Sequence, residues 1–251
     1  MKTVLITGCS SGFGVEIAKY FLDRDWSVIA TMRTPREDVL PASERLRILA
    51  LDVTDTESIR KAVDAAGPID ALVNNAGIGW LNALEGTPMD VARMLFETNT
   101  IGTMALTQAV LPQFRQRRTG VVVNVTSSVT LKPLHLLSVY TASKAAVNAF
   151  TESLALELES FGVRTRLVLP GRAPETRFGE NARSRMADHG GFPEPYTEVV
   201  QGVFAGWEQQ DSSETTRAID VAEAVWRAAN DPSSPMRIPA GADAVKVAAA
   251  G

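Results

Sequence analysis

A phenol and an ammonium group stand at helical spacing in the run YTASK at 140–144. Tyr140 and Lys144 are four residues apart in a stretch of helical periodicity, so both side chains should emerge on one face. An unperturbed phenol titrates near pH ~10, and a nearby fixed cation lowers that pKa by favouring the phenolate. A fall of about two to three units corresponds to roughly 3–4 kcal/mol. The pair predicts a proton-transfer site, although the same spacing also occurs on ordinary solvated helices.

A glycine-rich loop lies near the start of the chain, in the run TGCSSGFG at 7–14. It falls between a short apolar strand and the first helical stretch, where a dinucleotide-binding fold needs glycines. The free N–H groups of the following helix would attract a pyrophosphate. The spacing is G-x3-G-x-G rather than the commoner G-x-G-x-x-G, and a glycine turn without a ligand is the alternative. The residues expected to contact a cofactor here are Gly8, Ser10, Ser11, Gly12, Phe13 and Gly14.

A second candidate cofactor contact is the run NNAG at 74–77, directly after an apolar strand. Ligands of parallel sheets bind at the carboxyl ends of the strands, so Asn75, Ala76 and Gly77 are expected there. An ordinary Asn-Gly turn would give the same four letters.

The elements around these motifs alternate between short apolar runs and stretches of helical period. Because the strands are apolar throughout, they indicate a parallel sheet covered on both faces, a doubly wound α/β fold in a single domain 1–251. The expected strands are 4–6, 28–30, 46–51, 69–73, 121–125, 163–169 and 236–238. The expected helices are 15–22, 56–66, 88–99, 102–117, 139–160 and 220–229. The span 172–216 shows no regular period, and 248–251 is expected to fray.

Composition excludes several classes of function. The chain has 251 residues, a net charge of −4 and 45% hydrophobic residues, with no basic face suited to nucleic acid. The single cysteine, Cys9, forms no internal disulfide, and His135 and His189 lack metal spacing, so no metal is expected. No signal peptide or membrane-spanning segment is recognisable, which predicts a cytoplasmic protein.

The motifs occur together in a fixed order: Thr-Gly-x3-Gly-x-Gly at 7–14, the run NNAG, Asn99, a serine pair at 127–128, Tyr-x3-Lys and Pro170-Gly171. In this order the chain resembles the compact single-domain branch of the short-chain dehydrogenase/reductase family, over about residues 2–240. The resemblance implies a seven-stranded Rossmann sheet and a nicotinamide cofactor. It also implies that Tyr140 is the general acid/base. Lys144 would lower the pKa of Tyr140 and bind the nicotinamide ribose, and Asn99 would hold a water that links Lys144 to solvent.

The substrate-orienting serine implied by the resemblance is either Ser127 or Ser128. Alignment on Asn124 and a count of thirteen residues back from Tyr140 both favour Ser127, whereas Ser128 requires a shorter loop. A serine bonded to its local backbone is the alternative for each.

After Pro170 and Gly171, which the family places at the cofactor, the usual threonine position holds Glu175. Thr176 is therefore expected to bind the nicotinamide amide only with a one-residue shift of the loop. The usual glycine after the catalytic serine is also missing, because Thr130 to Pro133 occupy that loop.

The end of the second strand predicts the choice of cofactor. A site for NAD needs a carboxylate there, but this strand ends at Arg33, and a guanidinium suits the 2′-phosphate of NADP. A charge-assisted hydrogen bond of about 1.5–3 kcal/mol favours NADP(H) over NAD roughly ten- to hundredfold. Arg33 as an ordinary solvated charge is the alternative. By the family pattern, Asp52 and Val53 contact the adenine.

The implied reaction is hydride transfer between NADP(H) and a small-molecule carbonyl or secondary alcohol, as in a ketoreductase. Trp80 and Leu81, the loop 131–137 and the span 172–216 are expected to line the substrate, and the first two are mostly apolar. The span's basic residues, Arg177, Arg183, Arg185 and His189, could meet an anion but are expected to face water.

Other classes remain open at this stage. A non-catalytic NADP(H) sensor would keep the glycines but lose Tyr140 and Lys144, and a methyltransferase would not need the NNAG run. The long helices 102–117 and 139–160 favour a homodimer or homotetramer, with Phe150 and Leu154 either in that interface or covering the sheet.

Overall fold

A computed structural model describes residues 1–209 and 214–250. Within those residues the backbone forms one seven-stranded sheet whose strands all pair in parallel. The strands are β1 Thr3–Ile6, β2 Ser27–Met32, β3 Leu46–Ala50, β4 Ala71–Asn74, β5 Gly120–Val125, β6 Val163–Pro170 and β7 Arg237–Ala240. The seven-stranded parallel sheet expected from the sequence is therefore confirmed.

The strand order is β3-β2-β1-β4-β5-β6-β7, so the chain changes direction across the sheet between β1 and β4. Loops leaving neighbouring strands on opposite sides of such a point diverge and leave a crevice at the carboxyl edge. The glycine loop follows β1 and the NNAG run begins at the end of β4, so both lie at this crevice.

Helices cover both faces of the sheet, within the part of the chain that the structure describes. Their bounds are α1 Gly12–Leu22, α2 Thr56–Ala66, α3 Met89–Phe96, α4 Gly102–Arg117, α5 Ser138–Leu158, α6 Arg177–Ala187, α7 Thr197–Glu208, α8 Ala218–Asn230 and α9 Ala242–Ala249. Alternating strand residues feed two cores: Val4 and Ile6 pack with α1 and α8, whereas Leu5 packs with α2, α4 and α5. The rigid sheet so formed is the platform for the loops at its carboxyl edge.

The chain remains helical where the sequence predicted two separate helices, 88–99 and 102–117. A π-helical turn, Glu97–Ile101, joins α3 to α4 without a break. Such a turn adds one residue to the helical spiral and re-aims the side chains within it, and it is often found at functional sites. Asn99 lies in this turn.

Two further expectations about helices were wrong. The span 172–216, for which no regular period was found, contains α6 and α7. Two residues of the tail 248–251 that was expected to fray belong to α9. α6 lacks the apolar stripe by which a surface helix is recognised, and Ala182 is its only buried residue. α7 has such a stripe in Val200, Val203, Phe204 and Trp207, which are partly buried, so its helical period was present in the sequence and was missed. Residues 210–213 of this span, and Gly251 of the expected domain, lie outside the described residues.

The long helices α4 and α5 resolve the alternative left open for their apolar residues. Leu154 is buried and Phe150 partly buried against the core, so both cover the sheet. The exposed apolar residues here are instead Ile101, 48% exposed, and Leu156, 76% exposed. No helix among residues 1–209 and 214–250 has the length and apolar character needed to cross a membrane.

Candidate active site

The glycine loop is built by two close backbone approaches. Gly8 has φ +75°, and a Cβ there would lie 2.9 Å from the Cα of Ala76. A Cβ on Gly14 would overlap the carbonyl oxygen of Gly8. Glycine at these positions lets α1 begin directly on the loop and brings the loop against the NNAG run. The N–H groups of the first turn of α1, which starts at Gly12, thereby face the crevice.

Thr7 ties the two loops together, a role that the sequence did not predict. Its Oγ1 accepts hydrogen bonds from the backbone N–H of Asn75 at 3.0 Å and of Ala76 at 2.9 Å. The Asn75 side-chain amide in turn donates to the Thr7 carbonyl at 2.8 Å. The threonine preceding the first glycine was the available signal, because a hydroxyl can serve as an acceptor for two donors at a strand end.

A row of buried amides and hydroxyls runs beneath the site. The Asn74 Nδ2 donates to Asn124 Oδ1 at 2.8 Å and to Thr107 Oγ1 at 3.0 Å. The Asn124 Nδ2 donates to Thr151 Oγ1 at 2.8 Å. These bonds join β4 and β5 to α4 and α5, so they fix α5, which carries Tyr140, at one height above the sheet. A satisfied buried polar network of this kind favours a single arrangement of its elements.

Tyr140 and Lys144 lie on α5 and are both buried, with 7% and 5% of their surface exposed. The Lys144 Nζ donates to the carbonyl oxygen of Val125, at the end of β5, at 3.1 Å. The Tyr140 phenol shares a hydrogen bond with the hydroxyl of Ser127, two residues further on. The end of β5 and the face of α5 that carries Tyr140 and Lys144 therefore lie together, as the sequence predicted. The roles of the individual residues stay predictions.

Burial governs the charge states of this pair. It raises the pKa of Tyr140 to about 12, partly opposed by the Ser127 hydrogen bond. It lowers the pKa of Lys144 to about 8. The lowered phenol pKa expected from the neighbouring ammonium group is not what this structure shows, because desolvation by burial outweighs the Ser127 hydrogen bond, which lowers the pKa. At neutral pH Tyr140 is a neutral acid, and Lys144 is mostly charged.

Asn99 and Gly77 meet next to Lys144. The Asn99 Oδ1 accepts from the Ile78 N–H at 2.8 Å, and its Nδ2 donates to the Ile78 carbonyl at 3.0 Å and the Ser143 hydroxyl at 3.1 Å. A Cβ on Gly77 would lie 3.1 Å from Asn99 Oδ1 and 3.3 Å from Lys144 Nζ. The π-helical turn thus places the Asn99 side chain against the chain that leaves β4. Because residue 77 is glycine, the space between Asn99 and the Lys144 ammonium group stays open, and we call this space the Gly77 ledge.

Of the two serines considered, Ser127 contacts Tyr140. Ser127 is 8% exposed, and its Oγ also accepts from the N–H of Val129 at 3.3 Å. Ser128 begins the short 3-10 helix Ser128–Thr130 that follows. The local backbone bond expected as the alternative for Ser127 is therefore present together with the contact to the phenol.

The adenosine end of the crevice carries two arginines and one carboxylate. The Thr54 backbone N–H holds the pKa of Asp52 below its ordinary value, with smaller contributions from the Thr54 hydroxyl and the charge of exposed Arg33. Arg36 donates to the carbonyl oxygen of Ser10 at 2.9 Å and so lies across the glycine loop. Val53 packs against the start of α4, where a Cβ on Gly102 would lie 2.8 Å from its carbonyl oxygen.

The chain leaving β6 passes over the glycine loop. Pro170 ends β6, Gly171 follows, and Thr176 precedes α6. A Cβ on Gly12 would lie 3.4 Å from the Thr176 Cβ, so Thr176 faces the glycine loop. Both were expected from the sequence to contact the cofactor. The contact of Thr176 with the nicotinamide amide stays a prediction.

An aromatic side chain from α6 approaches the phenol, which the sequence did not predict. The ring of Phe178 lies 5.8 Å from that of Tyr140, centroid to centroid, and packs on Gly79. Buried Trp80, Val91 and Leu95 complete an apolar wall around Tyr140. No regular apolar spacing marked Phe178, because it stands alone on a polar helix.

The expected substrate-lining residues occupy different environments. Trp80 and Leu81 are only 2% and 6% exposed, so their side chains lie inside the apolar wall and do not present an open surface. Leu81 packs with Leu136 of the predicted loop and with residues of α7. The loop residues 132–135 are exposed.

One of the four basic residues expected to face water instead packs inward. Arg185 is partly buried and donates to the carbonyl oxygen of Gly79 at 3.0 Å. His189 is exposed as expected, although one side of its ring lies 5.8 Å from the ring of Trp80. Arg177 and Arg183 are exposed, as expected.

These residues fit a dinucleotide. Glycines hold the loop close to the start of α1, the ledge at Gly77 is open beside Lys144 and Asn99, and Arg33 offers a cation at the adenosine end. The first turn of α1 and the glycine loop would hold the pyrophosphate, and the ledge would hold the nicotinamide ribose.

Comparisons with known proteins agree with this geometry. A family model described as short chain dehydrogenase matches residues 2–187. YusZ of Bacillus subtilis, an uncharacterized oxidoreductase, is 36% identical over 242 residues, covering 91% of this chain and 84% of that protein. Human retinol dehydrogenase 8 is 38% identical over 181 residues, which cover 68% of this chain but 58% of the human protein.

Solved structures share the whole architecture. A short-chain dehydrogenase from Streptomyces avermitilis has a TM-score of 0.82 and 32% identity, covering 99% of this chain and 91% of that one. The closed form of a serine dehydrogenase complexed with NADP⁺ has a TM-score of 0.79 and 28% identity, covering 94% of this chain and 93% of that one.

Proposed function

The chain belongs to the short-chain dehydrogenase family of oxidoreductases, and on that premise we propose that it transfers a hydride between NADP(H) and the carbonyl or secondary alcohol of an apolar substrate. The observation that carries the proposal is the constellation around Tyr140. A buried phenol is bonded to the Ser127 hydroxyl and lies one helical turn from the buried Lys144 ammonium group. This constellation lies at the sheet edge that carries the glycine loop.

In the proposed mechanism Tyr140 moves the proton. When bound, the nicotinamide supplies a hydride to a carbonyl carbon or accepts one from an alcohol. Tyr140 gives its phenolic proton to the carbonyl oxygen as negative charge develops there, and takes it back in oxidation. Burial keeps the pKa of this phenol near 12, so Tyr140 is protonated at neutral pH and has the proton that reduction requires.

The neighbouring groups orient and balance the charge in this step. The Ser127 hydroxyl would donate to the same substrate oxygen and position it against the phenol. The Lys144 ammonium group would stabilise the phenolate left behind and bind the ribose hydroxyls at the Gly77 ledge. Asn99, held by both backbone groups of Ile78, would fix the far side of that ledge.

Arg33 and Arg36 support the choice of NADP(H). Both are exposed at the adenosine end, and Arg36 is anchored on the Ser10 carbonyl oxygen within the glycine loop. Asp52, the nearby carboxylate, is engaged by the Thr54 N–H and hydroxyl. A pair of guanidinium groups at this end suits a 2′-phosphate more than a free hydroxyl. A related serine dehydrogenase was crystallised with NADP⁺.

The apolar wall supports the substrate class. Phe178, Trp80 and Leu95 surround Tyr140, and a second apolar cluster around Leu81 and Leu136 continues from it. A substrate with a long apolar or ring-bearing body would bury its surface here, at about 25 cal/mol per Å². Retinol dehydrogenase 8, one of the relatives, is named for a substrate of this kind. We take the segment 172–216 to cover the bound substrate.

The test combines cofactor binding with turnover. Dissociation constants of NADPH and NADH should be measured by fluorescence, and NADPH oxidation should be followed with apolar cyclic and aromatic ketones beside keto acids. We expect NADPH to bind roughly tenfold or more tightly than NADH and the apolar ketones to be preferred. Equal binding of the two cofactors, or preference for keto acids, would remove those parts of the proposal.

Replacement of the phenol tests the reaction itself. Tyr140→Phe should lower kcat on a confirmed substrate by about 10²–10⁴-fold while leaving NADPH binding within about threefold. Tyr20→Phe, at a partly buried phenol near the C-terminal end of α1, is the matched control and should keep full activity. Full activity in Tyr140→Phe would refute the mechanism. NADPH binding without turnover on any substrate would instead favour a cofactor sensor.

A further inference from the structure

The two ends of the segment 172–216 meet at the carboxyl edge of the sheet, beside β6 and β7. The Thr216 N–H donates to the carbonyl oxygen of Arg172 at 2.9 Å. The Thr216 Oγ1 accepts from the N–H of Gly171 at 2.9 Å. We call these three residues the neck of the segment, because the chain enters the segment and leaves it here.

One carboxylate from another part of the chain binds both sides of the neck. Asp243, the second residue of α9, accepts the Arg172 N–H on Oδ2 at 2.6 Å and the Thr216 hydroxyl on Oδ1 at 2.6 Å. Hydrogen bonds to an ionised acceptor are short and about twice as strong as neutral ones. Asp243 thereby fixes the start and the end of the segment onto the C-terminal helix at the same time.

The neck is shaped around this carboxylate. A Cβ on Gly171 would overlap the Asp243 carboxylate, and a Cβ on Gly241 would overlap the Thr216 hydroxyl. Thr216 is 1% exposed, so its single hydroxyl proton needs an acceptor, and the Asp243 carboxylate at 2.6 Å is nearer than the Ala240 carbonyl at 2.9 Å. If Asp243 acted only as a cap of α9, it would not require glycine at position 171, which follows β6.

The neck leads directly to the contacts that the segment makes with the active site. Five residues after Gly171, Thr176 faces the glycine loop at Gly12, and Phe178 then packs against Tyr140. The position of both contacts depends on where the neck is held.

We propose that Asp243 is a positioning residue of the active site, which clamps the neck so that the segment 172–216 seats on the glycine loop and on Tyr140. The clamp is a property of the fold. Its effect on the cofactor rests on the proposed function.

The chain offers a matched control. Asp90 is the second residue of α3, an eight-residue helix like α9, and it accepts its neighbour's N–H at 2.8 Å just as Asp243 does at 2.9 Å. Asp90 is exposed. Asp90→Asn therefore reproduces the loss of a carboxylate in the first turn of a helix without touching the neck.

The first measurement uses the protein without cofactor. Limited trypsin digestion with mass-spectrometric mapping reports cleavage at Arg177, Arg183 and Arg185 in the segment. Asp243→Asn should cleave there about tenfold faster than wild type, because a charge-assisted bond across the neck is lost. Asp90→Asn should remain within about twofold. Equal rates in the two variants, or accelerated cleavage spread over the whole chain, would overturn the proposal.

The second measurement uses NADPH and a confirmed substrate. Asp243→Asn should raise the dissociation constant of NADPH about tenfold and raise KM more than it lowers kcat. Thr216→Val should reproduce this effect, and Thr216→Ser, which keeps the hydroxyl, should restore wild-type values. The threonine pair decides the matter if Asp243→Asn fails to fold, and a Thr216→Val variant with unchanged digestion and binding would refute the clamp. If wild type binds no NADPH, the proposed function fails, while digestion still decides the clamp.

Discussion

At the scale of single residues, the ammonium group of Lys144 is the most costly group to bury in the site. Its pKa falls from 10.5 to about 8 through burial alone, a difference of about 3 kcal/mol between charged and neutral forms. At neutral pH the fold must therefore hold a charged lysine away from water. Natural proteins keep such strain where a function requires it.

Lys144→Met should stabilise the protein while it reduces activity. Because the folded pKa lies below the unfolded one, the penalty is full below pH 8 and disappears as the pH rises towards 10.5. We expect the variant to be more stable than wild type by about 1–2 kcal/mol at pH 7, after loss of the bond to Val125. The advantage should shrink by pH 10, as measured by urea unfolding.

Turnover of the same variant should fall at least about 100-fold. Lys61→Met, on the exposed face of α2, is the control, and its stability difference from wild type should not change between pH 7 and pH 10. A Lys144→Met protein less stable than wild type at both pH values would contradict the burial argument.

The serine pair gives a second prediction at this scale. Ser127→Ala should lower kcat/KM about 10²-fold, because it removes a donor aimed at the developing oxyanion, whereas Ser128→Ala should change it less than about threefold. The pKa of Tyr140 should also rise in Ser127→Ala, since the Ser127 bond opposes the effect of burial. The reverse ranking of the two serines in steady-state kinetics would assign the role to Ser128.

The residues of the site differ in how far the sequence could predict them. Tyr140, Lys144, Ser127 and Asn99 stand at fixed spacings on predicted elements, so the pattern placed them at one edge. Thr7 and Phe178 were missed because their contacts join segments that are distant in sequence. The raised pKa of Tyr140 was missed because spacing shows which charges are near but does not show how deeply they are buried.

At the scale of elements, the seat of α1 on the glycine loop limits what can stand at Gly14. A Cβ there meets the Gly8 carbonyl oxygen, a backbone atom that cannot move without shifting β1 or α1. The start of α1, which we propose holds the pyrophosphate, therefore keeps its place on the loop only while this contact stays free of a side chain.

Gly14→Ala should destabilise the protein by about 1–3 kcal/mol, the usual cost of overpacking, and weaken NADPH binding at least about tenfold. Gly202→Ala is the matched control, because Gly202 also lies in a helix, α7, but has nothing within 4 Å of the position that its Cβ would take. Alanine there should stabilise the protein by about 0.5–1 kcal/mol. Urea unfolding and fluorescence titration measure both, and a neutral Gly14→Ala would show that the loop tolerates a wider approach.

Elements with a strong apolar pattern were predicted well, and those without one were not. α2 was expected at 56–66 and is found at Thr56–Ala66, capped by Asp55. The helix α6 was missed because it buries only Ala182. The helix α7 is an exception, because its apolar residues Val200, Val203, Phe204 and Trp207 stand at helical spacing and were overlooked. The π-helical turn at Glu97–Ile101 was missed because it looks like any helical turn in sequence and differs only by one residue in its hydrogen-bond spacing.

At the scale of the whole molecule, the sheet follows from its apolar strands. Strands with runs of consecutive apolar residues, such as β1, β4 and β5, require cover on both faces, which the two cores on either side of the sheet provide. The strand order was not predicted, because periodicity does not show which strands pair and the pairing depends on the path of the crossovers.

Exposed apolar residues on the outer helices predict self-association. Leu156 on α5 and Ile101 at the start of α4 are exposed, which is unfavourable for an isolated chain. We expect a homodimer or homotetramer by sedimentation, and Leu156→Glu should shift it towards the monomer at micromolar concentration. Val245→Glu, on exposed α9, is the control and should leave the assembly unchanged. A monomeric wild-type protein would contradict this prediction.

The closed neck at Gly171 and Thr216 also bears on how such a chain could diversify. A stretch whose two ends are already bonded to each other can be lengthened, shortened or exchanged with little effect on the strands that it leaves and rejoins. Selection for a new substrate can therefore change the length and the residues of this stretch, while the residues around Tyr140 stay the same.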